Sequence, residues 1–214
     1  FNPLVIGMPR TDGEANQKAA NYMPLSTDRR HTLVANFVWS LPKTSNTGAL
    51  GAVVNGWQLS GVYRAGSGSP YTITYAIPGI SPYTLTGTTR RESARVVING
   101  DPGAGHSGDP YSQFNTGAFR TPGINSNGLE SGVNYMTQAP QNILDLSFSR
   151  LISIPGGRRL ELRLDAFNAL NAVNFTTVNN TLQVRSLTDP TPTNLATDAA
   201  GNVVNPTGFG AVTA

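Results

Sequence analysis

Alternation of apolar and polar residues, sustained over segments of about 10 residues, is the feature that most constrains the fold of this chain. Successive side chains of a β-strand point to opposite faces, so a period of two predicts a sheet with one apolar face. We place strands at roughly 30–41, 57–77, 142–154 and 159–170. Strands of this length exceed the usual ~5–6 residues of soluble sheets and approach the ~9–11 that cross a bilayer at a tilt.

Each segment assigns its apolar residues to one face. The four rows are Leu33, Ala35, Phe37, Trp39 and Leu41; Trp57, Leu59, Gly61, Tyr63 and Ala65; Leu144, Leu146, Phe148, Ile152 and Ile154; and Leu160, Leu162, Leu164 and Ala166. Arg150 interrupts the third row, whereas Asp145, Glu161, Arg163 and Asp165 alternate with the leucines. The pattern predicts an apolar outer face and a charged inner row, which we interpret as an ion-paired, hydrated lumen.

The connections between the strands differ in length. Pro155-Gly156-Gly157 predicts a tight hairpin turn, and the polar stretch Lys43 to Gly56 joins the first two strands. Two polar tracts, roughly 78–141 and 172–214, are long loops, which compact soluble domains rarely contain. Apart from a short strand at Ala94 to Ile98, we expect these loops to be irregular.

An all-β fold is predicted by three features together: short turns at one end, long loops at the other, and strands with their apolar residues facing outward. We expect an antiparallel up-and-down meander that forms part of a transmembrane β-barrel, with about four long strands plus short loop strands. The whole chain, 1–214, is interpreted as a single partial domain. Trp39 and Trp57 lie beside the same connection and are candidates for an aromatic girdle. The alternative is a secreted or cell-surface β-sandwich module for adhesion or binding, in which Leu144, Leu146 and Phe148 would meet a second apolar sheet.

Composition and motifs argue against several other classes of function. The net charge of +3 is scattered, without the Lys/Arg stripe of a nucleic-acid footprint, and there is no cysteine for disulfides or thiolate metal sites. The sequence contains no run of about 18 apolar residues, so it predicts no membrane-spanning helix. The literal G-x-G-x-x-G at Gly103 to Gly108 lacks a following helix, so we interpret it as a loop rather than a dinucleotide site.

Candidate site residues are few. His31 and His106 have no second ligand at metal spacing, and His31, beside Arg29 and Arg30, is interpreted as interfacial at the loop-side end of a strand. Asp101 and Asp109 lack the spacing of a calcium loop. We therefore expect no enzyme, and assign no catalytic, cofactor-binding or metal residue and no cofactor. The loop aromatics (Tyr71, Tyr75, Tyr83, Tyr111, Phe114, Phe119 and Tyr135) either offer a stacking surface to a glycan or peptide or hold the loop to itself, so the ligand-binding residues are unknown.

Five phrases, in this order, resemble the C-terminal part of TonB-dependent outer-membrane receptors, in particular the Oar-like subgroup that begins with a carboxypeptidase-regulatory-like domain. They are Asp28-Arg29-Arg30-His31 before a strand ending in Leu41-Pro42; Gly56-Trp57-Gln58-Leu59-Ser60-Gly61 leading to Ser67-Gly68-Ser69-Pro70-Tyr71-Thr72; Phe114-Asn115-Thr116-Gly117-Ala118-Phe119; Asp145-Leu146-Ser147-Phe148-Ser149-Arg150; and Leu162-Arg163-Leu164-Asp165-Ala166-Phe167-Asn168-Ala169-Leu170-Asn171 with Asn174-Phe175. Together they cover about residues 28–175.

This resemblance implies a barrel of about 22 strands in the bacterial outer membrane, with an N-terminal plug and uptake of a ligand energised through the TonB complex. The implied partners are outer-membrane lipid, the rest of the barrel and plug, and the TonB complex through the N-terminal part; nucleic acid is not among them. The plug segment and the strand that follows a phrase like Phe209-Gly210 are not found in the sequence, so we expect the chain to be truncated at both ends. The ligand is not predicted.

Overall fold

The computed structural model describes residues 23–43, 45, 48–82, 84–86, 93–104, 108–124, 126 and 128–213. The chain divides into two compact units, whereas the sequence interpretation treated it as a single partial domain. We call residues 29–67 and 140–174 the sheet unit. The described parts of 23–28, 68–139 and 175–213 form the loop unit.

The described elements are strands, apart from one short helix and two single 3-10 turns. In chain order the strands are β1 Thr32–Ser40, β2 Trp57–Gly66, β3 Pro70–Tyr71, β4 Thr74–Ala76, β5 Val97–Ile98, β6 Phe119–Arg120, β7 Met136–Thr137, β8 Gln141–Ile154, β9 Arg158–Ala166 and β10 Thr181–Gln183. Helix α1 spans Ala49–Val54, and the 3-10 turns span Thr84–Thr86 and Thr116–Ala118. The fold is therefore all-β, as the alternation predicts.

The sheet unit is an antiparallel meander of four strands in the order β1-β2-β8-β9. Its register aligns Thr32 with Gly66 and Gly66 with Gln141 at one end, and Ser40 with Gln58 towards the other. Strands β8 and β9 continue beyond that end, where Gly156 (φ 90°) and Gly157 (φ 76°) form the tight turn. The described strands form an open sheet and not a closed barrel.

Two predicted strands end earlier than expected. Strand β2 was predicted to continue to residue 77 but ends at Gly66, because the chain at Gly68 packs against the backbone of Gln138, so closely that a Cβ there would lie 1.9 Å from the Gln138 carbonyl oxygen. Strand β9 was predicted to reach residue 170 but ends at Ala166. Asn168 and Asn171 adopt φ values of 48°, a left-handed conformation that Asn tolerates and that turns the chain out of the strand.

The loop unit was expected to be largely irregular, but it has a buried core. Its strands form three small pairs: β3 with β7 and β5 with β6 antiparallel, and β4 with β10 parallel. The buried side chains come from both long segments: Ile73, Tyr75, Ile77, Ala94, Val96, Phe114, Ala118, Phe119, Leu182, Val184 and Phe209. Pairs of two or three residues have too few alternations for the period of two to reveal them.

Asx turns hold many of the connecting segments in place. The Oδ1 atoms of Asp109, Asp189 and Asp198 each accept a hydrogen bond from the backbone N–H two residues later, at 2.9 Å, 3.2 Å and 2.9 Å. Such side chains replace backbone partners that a sheet would otherwise supply. A polar segment can therefore be ordered without long strands.

Candidate functional site

The candidate site is the apolar face of the sheet unit, and the strand register assembles it. Leu59 pairs with both Trp39 and Phe148, and Phe148 pairs with Leu164. Residues directly opposite in antiparallel strands share a face, so the four predicted rows join into one continuous surface. The register confirms that the predicted apolar rows lie on the same face of the sheet.

Much of this surface is exposed. Leu164 is 69% exposed and Trp39 56%, and the other exposed large members are Leu33, Phe37, Ile154, Leu160 and Leu162. Leu144, Leu146 and Phe148 lie on a central strand and are half-buried. Exposure of one large apolar side chain to water forfeits about 1.5–3 kcal/mol, so a face of this size needs an apolar partner. The sandwich alternative required a second sheet over these leucines. The exposures of this face are contrary to that alternative.

An aromatic and cationic cluster lies at the short-turn end of this face. The rings of Trp57 and Phe148 stack at 4.4 Å with an angle of 4° between their planes, and the guanidinium of Arg150 lies 5.6 Å from the Trp57 ring. Trp57 Nε1 and Arg150 both donate to the carbonyl oxygen of Val53, at 2.9 Å and 2.6 Å. Helix α1 therefore orients the indole, and the arginine that interrupts the third row is part of the same aromatic and cationic cluster.

The opposite face carries the charged row. Arg64 contacts Asp145 at 2.8 Å, and Arg163 contacts Asp165 at 2.9 Å. The side chains of both arginines are more than half exposed, so in water each pair contributes little to stability. Paired charges facing one side of a sheet suit a hydrated interior.

Asparagine side chains end the pairing of β8 and β9 at the long-loop end. Asn174 accepts from the backbone N–H of Asn142 at 2.7 Å and donates to its carbonyl oxygen at 3.0 Å, which reproduces the bonds of a strand neighbour. Asn168 bonds both backbone groups of Ala172, and its own N–H donates to Asp145. The sequence did not predict this role for the asparagines. Their spacing in the phrase Asn168-Ala169-Leu170-Asn171 was the available signal.

The loop aromatics mostly form a core rather than a surface. The rings of Phe114, Phe119 and Phe209 pack edge to face with centroids 5.1–6.1 Å apart, a geometry that ring quadrupoles favour. Burial raises the pKa of Tyr71, and it raises the pKa of Tyr135 to about 12. Of the two roles considered for these residues, the internal packing of Tyr75, Phe114 and Phe119 fits holding the loop to itself.

The remaining sequence candidates do not converge on a chemical site. Asp101 accepts from the N–H of Gly103 and Asp109 from that of Tyr111, so both carboxylates serve local turns. His106 and Tyr83 lie outside the described residues. Among the residues that the structure describes, no three His, Cys, Asp or Glu side chains gather as metal ligands. In the same residues, no helix has the length and apolar character to cross a membrane.

The apolar face is continuous and exposed, the opposite face is mixed and carries two ion pairs, and the four strands are 9–14 residues long. Together these features define a protein whose strands lie in a membrane. Comparison with known families agrees with this class. Residues 7–214 match the family described as Outer membrane beta barrel domain, and the chain belongs to that family. The membership supports a location in the bacterial outer membrane. No curated protein matches the chain, and no solved structure does either.

Proposed function

We propose that this chain forms part of the wall and the cell-surface loops of a TonB-dependent receptor of the Oar-like subgroup, which binds a ligand and takes it up. The observation that carries the proposal is the register that joins four apolar rows into one exposed face. A wall segment needs this arrangement because every second side chain meets lipid.

The lengths of the connections give the wall its direction. At the Gly66 and Gln141 end, β2 and β8 are joined through residues 67–140, whereas Pro155-Gly156-Gly157 closes the other end. In bacterial barrels the short turns face the periplasm and the longer loops face outward. The Gly66 and Gln141 end is therefore the cell-surface end, and the Trp57 cluster lies at the periplasmic interface.

The partners follow from the edges and faces of the sheet. Strands β1 and β9 each pair with one described neighbour, so their outer edges would join the rest of the barrel. Lipid covers the apolar face, the plug lies inside the barrel, and the TonB complex is engaged through the plug-bearing part of the receptor. The proposed role is binding and uptake, not catalysis.

Single cysteines along β9 test the wall, because the chain has no native cysteine. Leu162→Cys and Leu164→Cys would lie on the lipid face, and Arg163→Cys, between them, is the matched control on the lumen face. A charged, membrane-impermeant maleimide applied to outer membranes should label only Arg163→Cys, since a thiol in hydrocarbon does not ionise. All three should react after denaturation. Equal labelling of all three in the membrane would contradict a wall.

Uptake is tested at the level of the cell. We expect deletion of the gene that encodes this chain, and separately loss of the TonB complex, to leave the same compound unconsumed in the growth medium, measured by mass spectrometry. A compound that the gene deletion leaves behind but TonB-deficient cells still consume would contradict energised uptake. It would leave the wall assignment, tested by the cysteines, intact.

A further inference from the structure

We propose that a groove at the cell-surface end of the apolar face binds the phosphorylated headgroup of an outer-leaflet glycolipid. The inference rests on the proposed orientation of the wall but not on uptake. The groove is a shallow, open depression of about 500 Å³ within the sheet unit. Its lining residues are Arg30, His31, Thr32, Leu33, Ala65, Gly66, Ser67, Pro140 and Asn142.

The strand register puts the floor of the groove on the lipid-facing side. Leu33 and Ala65 form this floor and are aligned with the polar Asn142 across β1, β2 and β8, in the last row of the apolar face. Farther along, the backbone of Ser67 donates to the carbonyl oxygen of His31 at 2.9 Å, which extends the β1–β2 pairing beyond the strand ends. The groove therefore continues directly from the surface that lipid chains would cover.

The upper rim of the groove is cationic. Arg30 supplies the charge and is exposed, and the exposed His31 lies next to it in the chain. Arg29 donates to the Ser67 carbonyl oxygen at 3.2 Å and to Gln141 Oε1 at 3.4 Å, so these contacts hold it beside the groove without neutralising its charge. Asp28 is the one acidic residue of the phrase, so the segment keeps a net positive charge.

An apolar floor beneath a cationic rim matches an amphiphile with an anionic head. Arginine forms bidentate hydrogen bonds with phosphate oxygens, and Asn142 and Ser67 add neutral polar groups at the same level. In the proposed orientation this end of the apolar face meets the outer leaflet, so the proposed occupant is a phosphorylated glycolipid of that leaflet. Basic pockets beside membrane-spanning segments are suited to such headgroups.

The test uses the protein extracted from outer membranes with its natural flanking sequence and freed of lipid. Native mass spectrometry in detergent would follow titration with diphosphorylated lipid A and with its dephosphorylated form. Arg30→Gln should weaken binding of the diphosphorylated form about tenfold, a change of about 1.4 kcal/mol. Arg158→Gln, which removes the same charge at the short-turn end of β9, is the matched control and should leave binding unchanged.

Several outcomes would overturn the proposal. One is an equal loss of lipid A binding in Arg30→Gln and Arg158→Gln. Another is equally tight binding of the dephosphorylated lipid A. The third is displacement of bound lipid A by millimolar inorganic phosphate, which would indicate a site for free phosphate. Ala65→Phe fills the groove without a change of charge and should also weaken binding, so it replaces Arg30→Gln if that variant does not fold. If cysteine labelling of β9 is as expected for the wall but Arg30→Gln and Ala65→Phe both bind lipid A as the wild type does, the groove proposal is refuted and the wall proposal is not.

Discussion

Asn174 takes the place of a strand neighbour for Asn142: its amide accepts from the Asn142 N–H at 2.7 Å and donates to the Asn142 carbonyl oxygen at 3.0 Å. A single side chain thereby satisfies both backbone groups of Asn142 at the point where β9 has already ended. The pair explains how the chain can leave the sheet while the backbone groups at the start of β8 keep their hydrogen-bond partners.

Replacement of Asn174 by Ala should destabilise the long-loop end of the sheet by about 1–3 kcal/mol, because two partly buried backbone groups lose their partner. Hydrogen exchange of the Asn142 amide, which donates to Asn174, should accelerate accordingly. Asn171→Gly is a suitable control, since Asn171 has φ 48° and glycine adopts that conformation readily. Equal protection of the Asn142 amide in wild type and Asn174→Ala would contradict the assigned role.

Gly68→Ala should disrupt the pairing of β3 with β7. Its Cβ would lie 1.9 Å from the Gln138 carbonyl oxygen, and a backbone atom cannot move aside as a side chain can. Gly123→Ala is the matched control in the same unit, because a Cβ there meets no heavy atom within 4 Å. We expect limited proteolysis to cut the loop unit faster in Gly68→Ala only. Unchanged resistance in both variants would show that the two segments do not pack as described.

Phe209→Ala should destabilise the loop unit by about 3–5 kcal/mol, since it removes a fully buried ring from the three-phenylalanine cluster. Phe167→Ala makes the same chemical change at a side chain that is 80% exposed, and its effect on the loop unit should stay within about 0.5 kcal/mol. Hydrogen exchange in residues 108–120 gives the readout. Similar protection in the two variants would argue against a packed core.

The loop unit should unfold at alkaline pH. An unfolded tyrosine titrates near pH 10, whereas burial raises the pKa of Tyr135 to about 12 and also raises that of Tyr71. A raised pKa means that the fold favours the neutral phenols, so their contribution to stability is complete below pH ~10 and is lost as the pH rises towards ~12. Tyrosinate absorbance and circular dichroism should therefore change together. Tyr135→Phe should move the transition to higher pH; an unmoved transition would count against this mechanism.

Strand existence and sidedness could be predicted because both depend on a local signal. Leu144, Leu146 and Phe148 alternate with polar residues over a length that only a strand explains, and an apolar row of this kind can be read without knowledge of distant partners. The ends of β2 and β9 could not be predicted in the same way. Gly68 meets Gln138 across 70 positions of sequence, and no local pattern identifies that contact.

The buried loop unit was missed for a related reason. Its parallel pair joins Thr74 and Thr181, whose side-chain oxygens lie 3.2 Å apart although 107 positions separate them. Each strand has only a few residues, and turn-forming residues surround it. The apolar rows of the candidate site could be predicted, but the groove required the three-strand alignment of Leu33, Ala65 and Asn142.

The shared core of the loop unit also limits how its segments can be exchanged. Phe114 belongs to the segment before β8 and Phe209 to the one after β9, yet their rings are in contact. If one segment were replaced by its counterpart from a related protein, the buried side chains of the new segment would have to pack against native side chains of the other segment. Chimeras between related proteins should therefore move residues 68–139 and 175–213 together, and natural recombination between such genes should preserve the two as a set.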